Sequence, residues 1–168
     1  MNIFVTGGAG FIGSNFIRLV LSLGKGYSIV NFDKLTYAGN LANLDSVTAD
    51  PKYRFVKGDI CDSAAVTEAM RGCDAVVHIA AESHVDRSIY EPAPVIDTNV
   101  TGTFVLLQVA RKLKVQRFVH ISTDEVYGDL PPGATADENF PLQPNSPDRK
   151  STRLNSSHIQ KSRMPSSA

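Results

Sequence analysis

The chain has 168 residues, 42% of them hydrophobic and 20% charged, with 17 basic side chains against 17 acidic ones. That is enough length and apolar content for one globular domain with a real core, and no run approaches the roughly 18 apolar residues of a membrane span. The neutrality is uneven: residues 1–147 carry 12 Lys and Arg against 16 Asp and Glu, a net of −4, whereas residues 148–168 carry five basic side chains against the single acid Asp148, a net of +4.

The first predicted element is a strand, Ile3-Phe4-Val5, which runs into Thr6-Gly7-Gly8-Ala9-Gly10-Phe11-Ile12-Gly13. Gly7, Gly10 and Gly13 fall at G-x-x-G-x-x-G spacing, and a helical pattern through Phe16, Ile17, Val20 and Leu21 follows. In a strand–turn–helix of this kind one glycine permits the tight turn, one lets the backbone approach a pyrophosphate, and one lets the helix pack on its strand. The helix start offers amide N–H groups and the positive end of the dipole to the phosphates. The second strand, Tyr27–Phe32, ends at Asp33, twenty residues after Gly13. An acid there either finishes a strand in solvent or bonds the adenosine ribose hydroxyls. The agreement of spacing, strand and glycines favours the second, and a carboxylate repels a 2′-phosphate, so NAD is expected rather than NADP.

A loop through Lys34–Asn40 leads to a short helical stretch near Leu41–Val47, and Asp50-Pro51 marks a break. Tyr53–Lys57 alternates as a third strand and runs on into Gly58-Asp59-Ile60. Asp62 or Ser63 caps a helix to about Arg71, stopped by Gly72. Ala75–Ala80 is a fourth, nearly all-apolar strand, as expected when both faces are covered. A long helix is predicted from about Val95 to Lys112 and a fifth strand over Arg117–Ser122. The expected architecture is an α/β fold, a doubly wound parallel sheet of the Rossmann NAD-binding type in order 3-2-1-4-5, ending after the fifth strand. His78 and His120 lie inside apolar strands and read as core histidines. Cys61 and Cys73 lack metal or redox spacing and suit a reducing cytoplasm. Met1 leads straight into a strand, so no signal peptide is expected.

Ligands of such sheets bind beyond the carboxyl ends of the strands. Three polar clusters fall at or near that edge: Ala80–Arg87, Asp97–Thr103 and Ser122–Gly128. Thr123, Asp124 and Glu125 set a hydroxyl beside two carboxyls. From spacing alone this is equally a polar exit from a strand or an acid–base pair whose proton affinities are driven apart.

Taken together, Gly7–Gly13, Asp33–Asn40, Ala81–Ile89 and Ser122–Gly128 resemble the dTDP-glucose 4,6-dehydratases, NAD-dependent lyases of the extended short-chain dehydrogenase/reductase superfamily that act in nucleotide-sugar biosynthesis. The resemblance covers residues 1–147, and Asp124-Glu125 after Thr123 is its most specific part. It implies a cofactor site that includes Gly7, Gly10, Phe11, Ile12, Gly13, Asp33, Lys34, Asp59, Ile60, Ala80, Ala81 and Asn99. It implies a sugar-nucleotide region near Ser83, His84 and Arg87, and no metal. Thr123 would bond the C4 oxygen of the glucosyl unit, Glu125 would take the C5 proton, and Asp124 would protonate the departing C6 hydroxyl. Relatives of this kind dimerise through the long helix near 95–112 and the helix after the fifth strand. A cytoplasmic homodimer without nucleic-acid or membrane partners is therefore the expectation. Alternatives are another nucleotide-sugar 4,6-dehydratase or epimerase, or a non-catalytic NAD-binding module.

The resemblance also implies a Tyr-x-x-x-Lys pair after a Ser-Pro like Ser146-Pro147. Position 148 is Asp, position 152 is Thr, and no tyrosine follows Tyr127. Tyr53 and Lys57 match the spacing, but four strand residues separate them by about 13 Å. Residues 1–147 are thus expected to form the NAD-binding domain, incomplete relative to that family. Residues 148–168, with six serines and no amphipathic period, are expected to be a disordered, foreign tail.

Overall fold

The computed structural model describes residues 1–82, 92–131 and 133–143. Ser83, His84, Arg87, Ser146-Pro147 and the 148–168 segment lie outside the described residues, as do the side chains of Asp124 and Glu125. The chain divides into two compact units, Met1–Ala81 with Thr101–Ile121, and Glu82–Val100 with the residues from Ser122 onward.

The first unit is a five-stranded, all-parallel sheet in the order β3-β2-β1-β4-β5, as the strand pattern predicts. The strands are β1 (Asn2–Thr6), β2 (Ser28–Asp33), β3 (Tyr53–Lys57), β4 (Ala75–His78) and β5 (Arg117–His120). Side chains alternate across β1, so Phe4 faces one core while Ile3 and Val5 face the other. Phe4 packs with Phe32, Ile60, Val66, Met70, Val76 and Leu106; Ile3 and Val5 pack with Ile17, Val20, Ile29, Leu44 and Val77. Strand β4, paired on both sides by β1 and β5, is buried at all four positions, which explains its nearly all-apolar run.

Helix α1 (Phe11–Ser22) buries Gly13, Ser14, Ile17 and Val20, one stripe at helical spacing. Leu41–Val47 is a 3₁₀ helix capped by Asn40, whose side chain accepts from the Ala42 amide. Helix α2 (Ser63–Met70) is capped by Asp62: Oδ1 accepts from the amides of Ala64 (2.9 Å) and Ala65 (3.0 Å). Gly72 ends that stretch at φ +75, where a side chain would be strained.

The expected single helix near 95–112 is three successive segments: α3 (Pro92–Val95), a π-helix (Ile96–Gly102) and α4 (Thr103–Lys112). It begins earlier than the apolar pattern suggests because proline fits a first helical turn, where its missing N–H costs nothing. Strands β4 and β5 also end two residues sooner than expected. After β4, the Ile79 and Ala80 amides turn toward the Thr6 hydroxyl, both at 3.2 Å. Among the described residues no helix is long and apolar enough to cross a membrane.

Candidate functional site

The glycine turn joins β1 to α1. The Gly7 amide donates to the Phe32 carbonyl (3.1 Å), the Gly10 amide to the Gly7 carbonyl (3.2 Å), and the Ser14 amide to the Gly10 carbonyl (3.0 Å). The three motif glycines do different jobs. Gly7 has φ +69, and a Cβ there would also sit 2.7 Å from the Ala80 nitrogen. A Cβ on Gly13 would lie 2.2 Å from the Gly7 carbonyl oxygen, whereas one on Gly10 would meet that oxygen at 3.3 Å. Helix α1 has no side-chain cap and no acid in its first turn, so its opening amides keep the electropositive end of the helix available to an anion. Phe11 and Ile12 stand exposed there, at 83% and 58%.

Asp33 is tied to this turn. Its Oδ2 accepts from the Ala9 amide (2.9 Å) and its Oδ1 from the Leu35 amide (2.8 Å), while its backbone carbonyl accepts from Gly58 (3.0 Å). The bond to Ala9 brings the acid at the end of β2 and the glycine turn after β1 into one constellation, as their spacing in the sequence predicts. Next to it, Lys34 Nζ lies 2.6 Å from Asp59 Oδ2, and Asp59 Oδ1 accepts from the Cys61 amide (2.9 Å). Burial opposes ionisation of Asp59, but the hydrogen bonds from Lys34 and Cys61 and the lysine charge outweigh it and hold the carboxyl below its ordinary value. Ile60 is buried in the core against α2 and α4 rather than displayed at the edge.

Below the turn lies a buried polar cluster that motif reading passes over. Thr6 Oγ1 is 2.7 Å from His78 Nδ1, and His78 Nε2 is 2.9 Å from Thr103 Oγ1. The His120 ring lies 4.8 Å from that of His78, and neither His120 nitrogen has a hydrogen-bond partner among the described residues. Burial, and secondarily His120, pushes His78 down to about 3. His78 is a core residue, as expected, whereas His120 is only half-buried on the edge strand β5. The only signal in the sequence was a basic residue inside an apolar strand.

In the second unit, Asn99 sits in the π-helix and is 5% exposed. Its Oδ1 accepts from the Glu82 amide and its Nδ2 donates to the Glu82 carbonyl, both at 2.9 Å. The side chain thus imitates a peptide group and pins the chain that leaves β4. π-Helical turns recur at functional sites, and this one carries Asn99, which the family resemblance implies for the cofactor site. Asp124–Tyr127 forms a short 3₁₀ turn, with the Val126 amide on the Thr123 carbonyl (3.4 Å) and the Val126 carbonyl accepting from Gln143 (2.9 Å). Tyr127 stacks edge-on against Phe140 at 6.1 Å.

Tyr53 matches the Tyr-x-x-x-Lys spacing with Lys57, but both lie on strand β3. Its hydroxyl accepts from Asn31 Nδ2 (3.0 Å), and burial pushes the phenol up, opposite to what a catalytic base at neutral pH requires. Among the described residues no group of His, Cys, Asp and Glu could hold a metal.

The family profile described as GDP-mannose 4,6 dehydratase matches residues 4–156. A dTDP-glucose 4,6-dehydratase of Streptomyces niveus is 52% identical over 151 residues, which is 88% of this chain and 45% of that protein. One from Shigella flexneri is 52% identical over 153 residues, 84% of this chain and 42% of that protein. The chain therefore spans about half the length of the curated relatives it matches. A solved dTDP-glucose 4,6-dehydratase from Streptomyces venezuelae with NAD bound has a TM-score of 0.87 at 50% identity, over 92% of this chain and 49% of that one. A UDP-glucose 4-epimerase from Thermus thermophilus in complex with NAD has a TM-score of 0.85 at 30% identity, over 95% and 50%. A profile match across nearly the whole length, on a sheet of this order, assigns the chain: it belongs to the GDP-mannose 4,6 dehydratase family.

Proposed function

We propose that this chain is the cofactor-binding portion of an NAD-dependent dTDP-glucose 4,6-dehydratase. The observation that carries the reading is the bond between Ala9 and Asp33, which holds a carboxylate beside a glycine turn too tight at Gly7 and Gly13 for any side chain. Such a cradle fits a dinucleotide: the turn and the start of α1 receive the pyrophosphate, and Asp33 receives the ribose hydroxyls through its remaining lone pairs. Its charge repels a 2′-phosphate, which favours NAD. Lys34 and Asp59 rim the adenine end, and the family resemblance adds Asn99 to the cofactor-binding residues.

When bound, NAD supplies the acceptor for the C4 hydride and the donor that later reduces C6. The chain's own acids carry the elimination between those steps. Glu125 takes the C5 proton, which the C4 ketone acidifies; Asp124 protonates the C6 hydroxyl, which leaves as water; Thr123 bonds the C4 oxygen. One carboxyl must be neutral while its neighbour is ionised, which is why two acids stand together. The base for the C4 hydroxyl is a Tyr-x-x-x-Lys pair in the resemblance, and these 168 residues do not contain it in that place. The chain alone is expected to bind NAD without turning over the sugar nucleotide.

Calorimetric titration of the chain with NAD and with NADP tests the first half of the proposal: NAD should bind, and NADP should bind far more weakly. Equal affinity for both, or none for NAD, refutes it. Full-length enzyme carrying this segment tests the second half. Glu125→Gln should lose exchange of the C5 proton with deuterated solvent, whereas Asp124→Asn should keep that exchange and lose the release of water. Wild-type rates in both variants would remove the two acids from the mechanism.

A further inference from the structure

The sheet order places the two strands that part company, β1 and β4, side by side. β1 leads away toward β2, and β4 leads toward β5. In doubly wound sheets the ligand crevice opens at this switch point. The last paired residues there are Thr6 and His78, directly in register, and both are fully buried. Beyond them, Gly7 and Ala80 are packed so closely that no Cβ fits on Gly7.

The hydrogen bonds around Thr6 leave one arrangement of protons. Its hydroxyl oxygen accepts the amides of Ile79 and Ala80, each at 3.2 Å, and Ile79 shares its amide with the Thr6 carbonyl. A hydroxyl has two lone pairs and one proton, so the proton goes to the remaining neighbour, His78 Nδ1 at 2.7 Å. Nδ1 is then an acceptor, and the neutral ring carries its hydrogen on Nε2, which donates to Thr103 Oγ1 at 2.9 Å. One unbroken chain of hydrogen bonds thus joins β1, β4 and the first residue of α4.

We propose that His78, held as the neutral Nε2–H tautomer, is a positioning residue for the cofactor site: through Thr6 it fixes the backbone at Ile79 and Ala80 on which the glycine turn rests. The inference rests on the reading of this crevice as an NAD site. Loss of the Thr6 hydroxyl takes that acceptor from two amides and leaves Nδ1 without its donor, frees the carboxyl edge of β4 and loosens the seat of Gly7. No contact between His78 and the cofactor is involved.

The test uses the full 168-residue chain. Long-range ¹H–¹⁵N correlation spectra of the imidazoles should show His78 as the neutral Nε2–H form at pH 7. A charged ring or the Nδ1–H form overturns the inference without reference to any ligand. Thr6→Val should weaken NAD binding about tenfold, the factor that corresponds to one lost ordering hydrogen bond, and Thr6→Ser should restore it. Val66→Ala, a cavity in the core beneath α2, serves as the control for general destabilisation: it should lower the melting temperature and leave NAD affinity alone. If Thr6→Val melts lower but binds NAD as the wild type does, the network is structural only and the positioning role fails while the cofactor reading stands. If the wild type binds no NAD, both fail.

Discussion

Gly10 and Gly13 look equivalent in the motif, yet the structure separates them, and that difference can be measured. A methyl group on Gly13 would lie 2.2 Å from the Gly7 carbonyl oxygen, 2.6 Å from Gly8 Cα and 2.9 Å from the Gly7 carbonyl carbon. All three are backbone atoms, so no flexible side chain can yield; the turn itself must retreat by about 1 Å to reach ordinary contact distance. Gly→Ala inside a helix is by itself worth about 1 kcal/mol in favour of alanine. Overpacking of this kind costs about 1–3 kcal/mol, and with only backbone to displace the upper part of that range applies. Gly13→Ala should therefore be destabilised by about 1–2 kcal/mol net, a fall of about 2–8 °C in melting temperature for a chain of this size. Its NAD affinity should drop as well, because the displaced atoms belong to the turn proposed to receive the phosphates.

Gly10→Ala meets the Gly7 oxygen at 3.3 Å from a backbone of φ −76, which any residue adopts. It should melt within about 1 kcal/mol of the wild type, the size of a helix N-cap change. Thermal unfolding followed by circular dichroism, with calorimetric titration of NAD, decides both. A Gly13→Ala chain that is more stable than the wild type and binds NAD normally would refute the close-approach argument; equal losses in both variants would refute the distinction between them.

Asp33→Ala removes the acceptor of two amides and should abolish measurable NAD binding, whereas Asp33→Asn should narrow the preference for NAD over NADP; parallel titrations with the two cofactors read both. Asp62→Ala removes both cap bonds of α2 and should cost about 1 kcal/mol in urea unfolding with no change in NAD affinity. Acid should weaken the fold through His78, whose folded value of about 3 lies below its ordinary 6.5. Between those values the unfolded chain binds a proton that the folded chain refuses, so this contribution is complete above about pH 6.5 and falls by up to ~1.4 kcal/mol per pH unit below it, or ~2 kcal/mol at pH 5. Burial lowers His120 as well, which acts in the same direction. Urea unfolding at pH 7 and pH 5 measures the loss, and equal stability at the two would remove His78 from the acid sensitivity.

The parts of the site that the sequence discloses are those where local geometry forces the residue type. Gly7 and Gly13 have no room for a side chain, Asp62 must satisfy free amides, and Asp33 must follow its strand at the distance set by one helix. Each demand is met within a few residues or one β-α-β unit, so spacing alone carries it. The helix start at Pro92 was hidden because proline signals a break in a helix interior and a beginning in a first turn, and the apolar pattern does not distinguish the two. The π-helix at Ile96–Gly102 was hidden for a related reason: a wider turn inserted in a helical run shifts register without changing composition.

The Thr6–His78–Thr103 chain lay outside any such reading because its members are 72 and 25 residues apart and none belongs to a spacing rule. Its position nevertheless follows from the topology. Where two neighbouring parallel strands send their connections in opposite directions, the ladder between them runs out just beyond the last register pair. Thr6 and His78 are that pair, and the Thr6 hydroxyl extends the failing ladder by taking the next two amides after β4. A side chain that closes the ladder must be small, polar and buried, and it needs a buried partner to receive its proton. A neutral histidine on the adjacent strand meets that need, and a lysine or carboxylate could not without a counter-charge. The same parting of strands that opens a crevice for a ligand therefore creates the demand for polar residues beneath it.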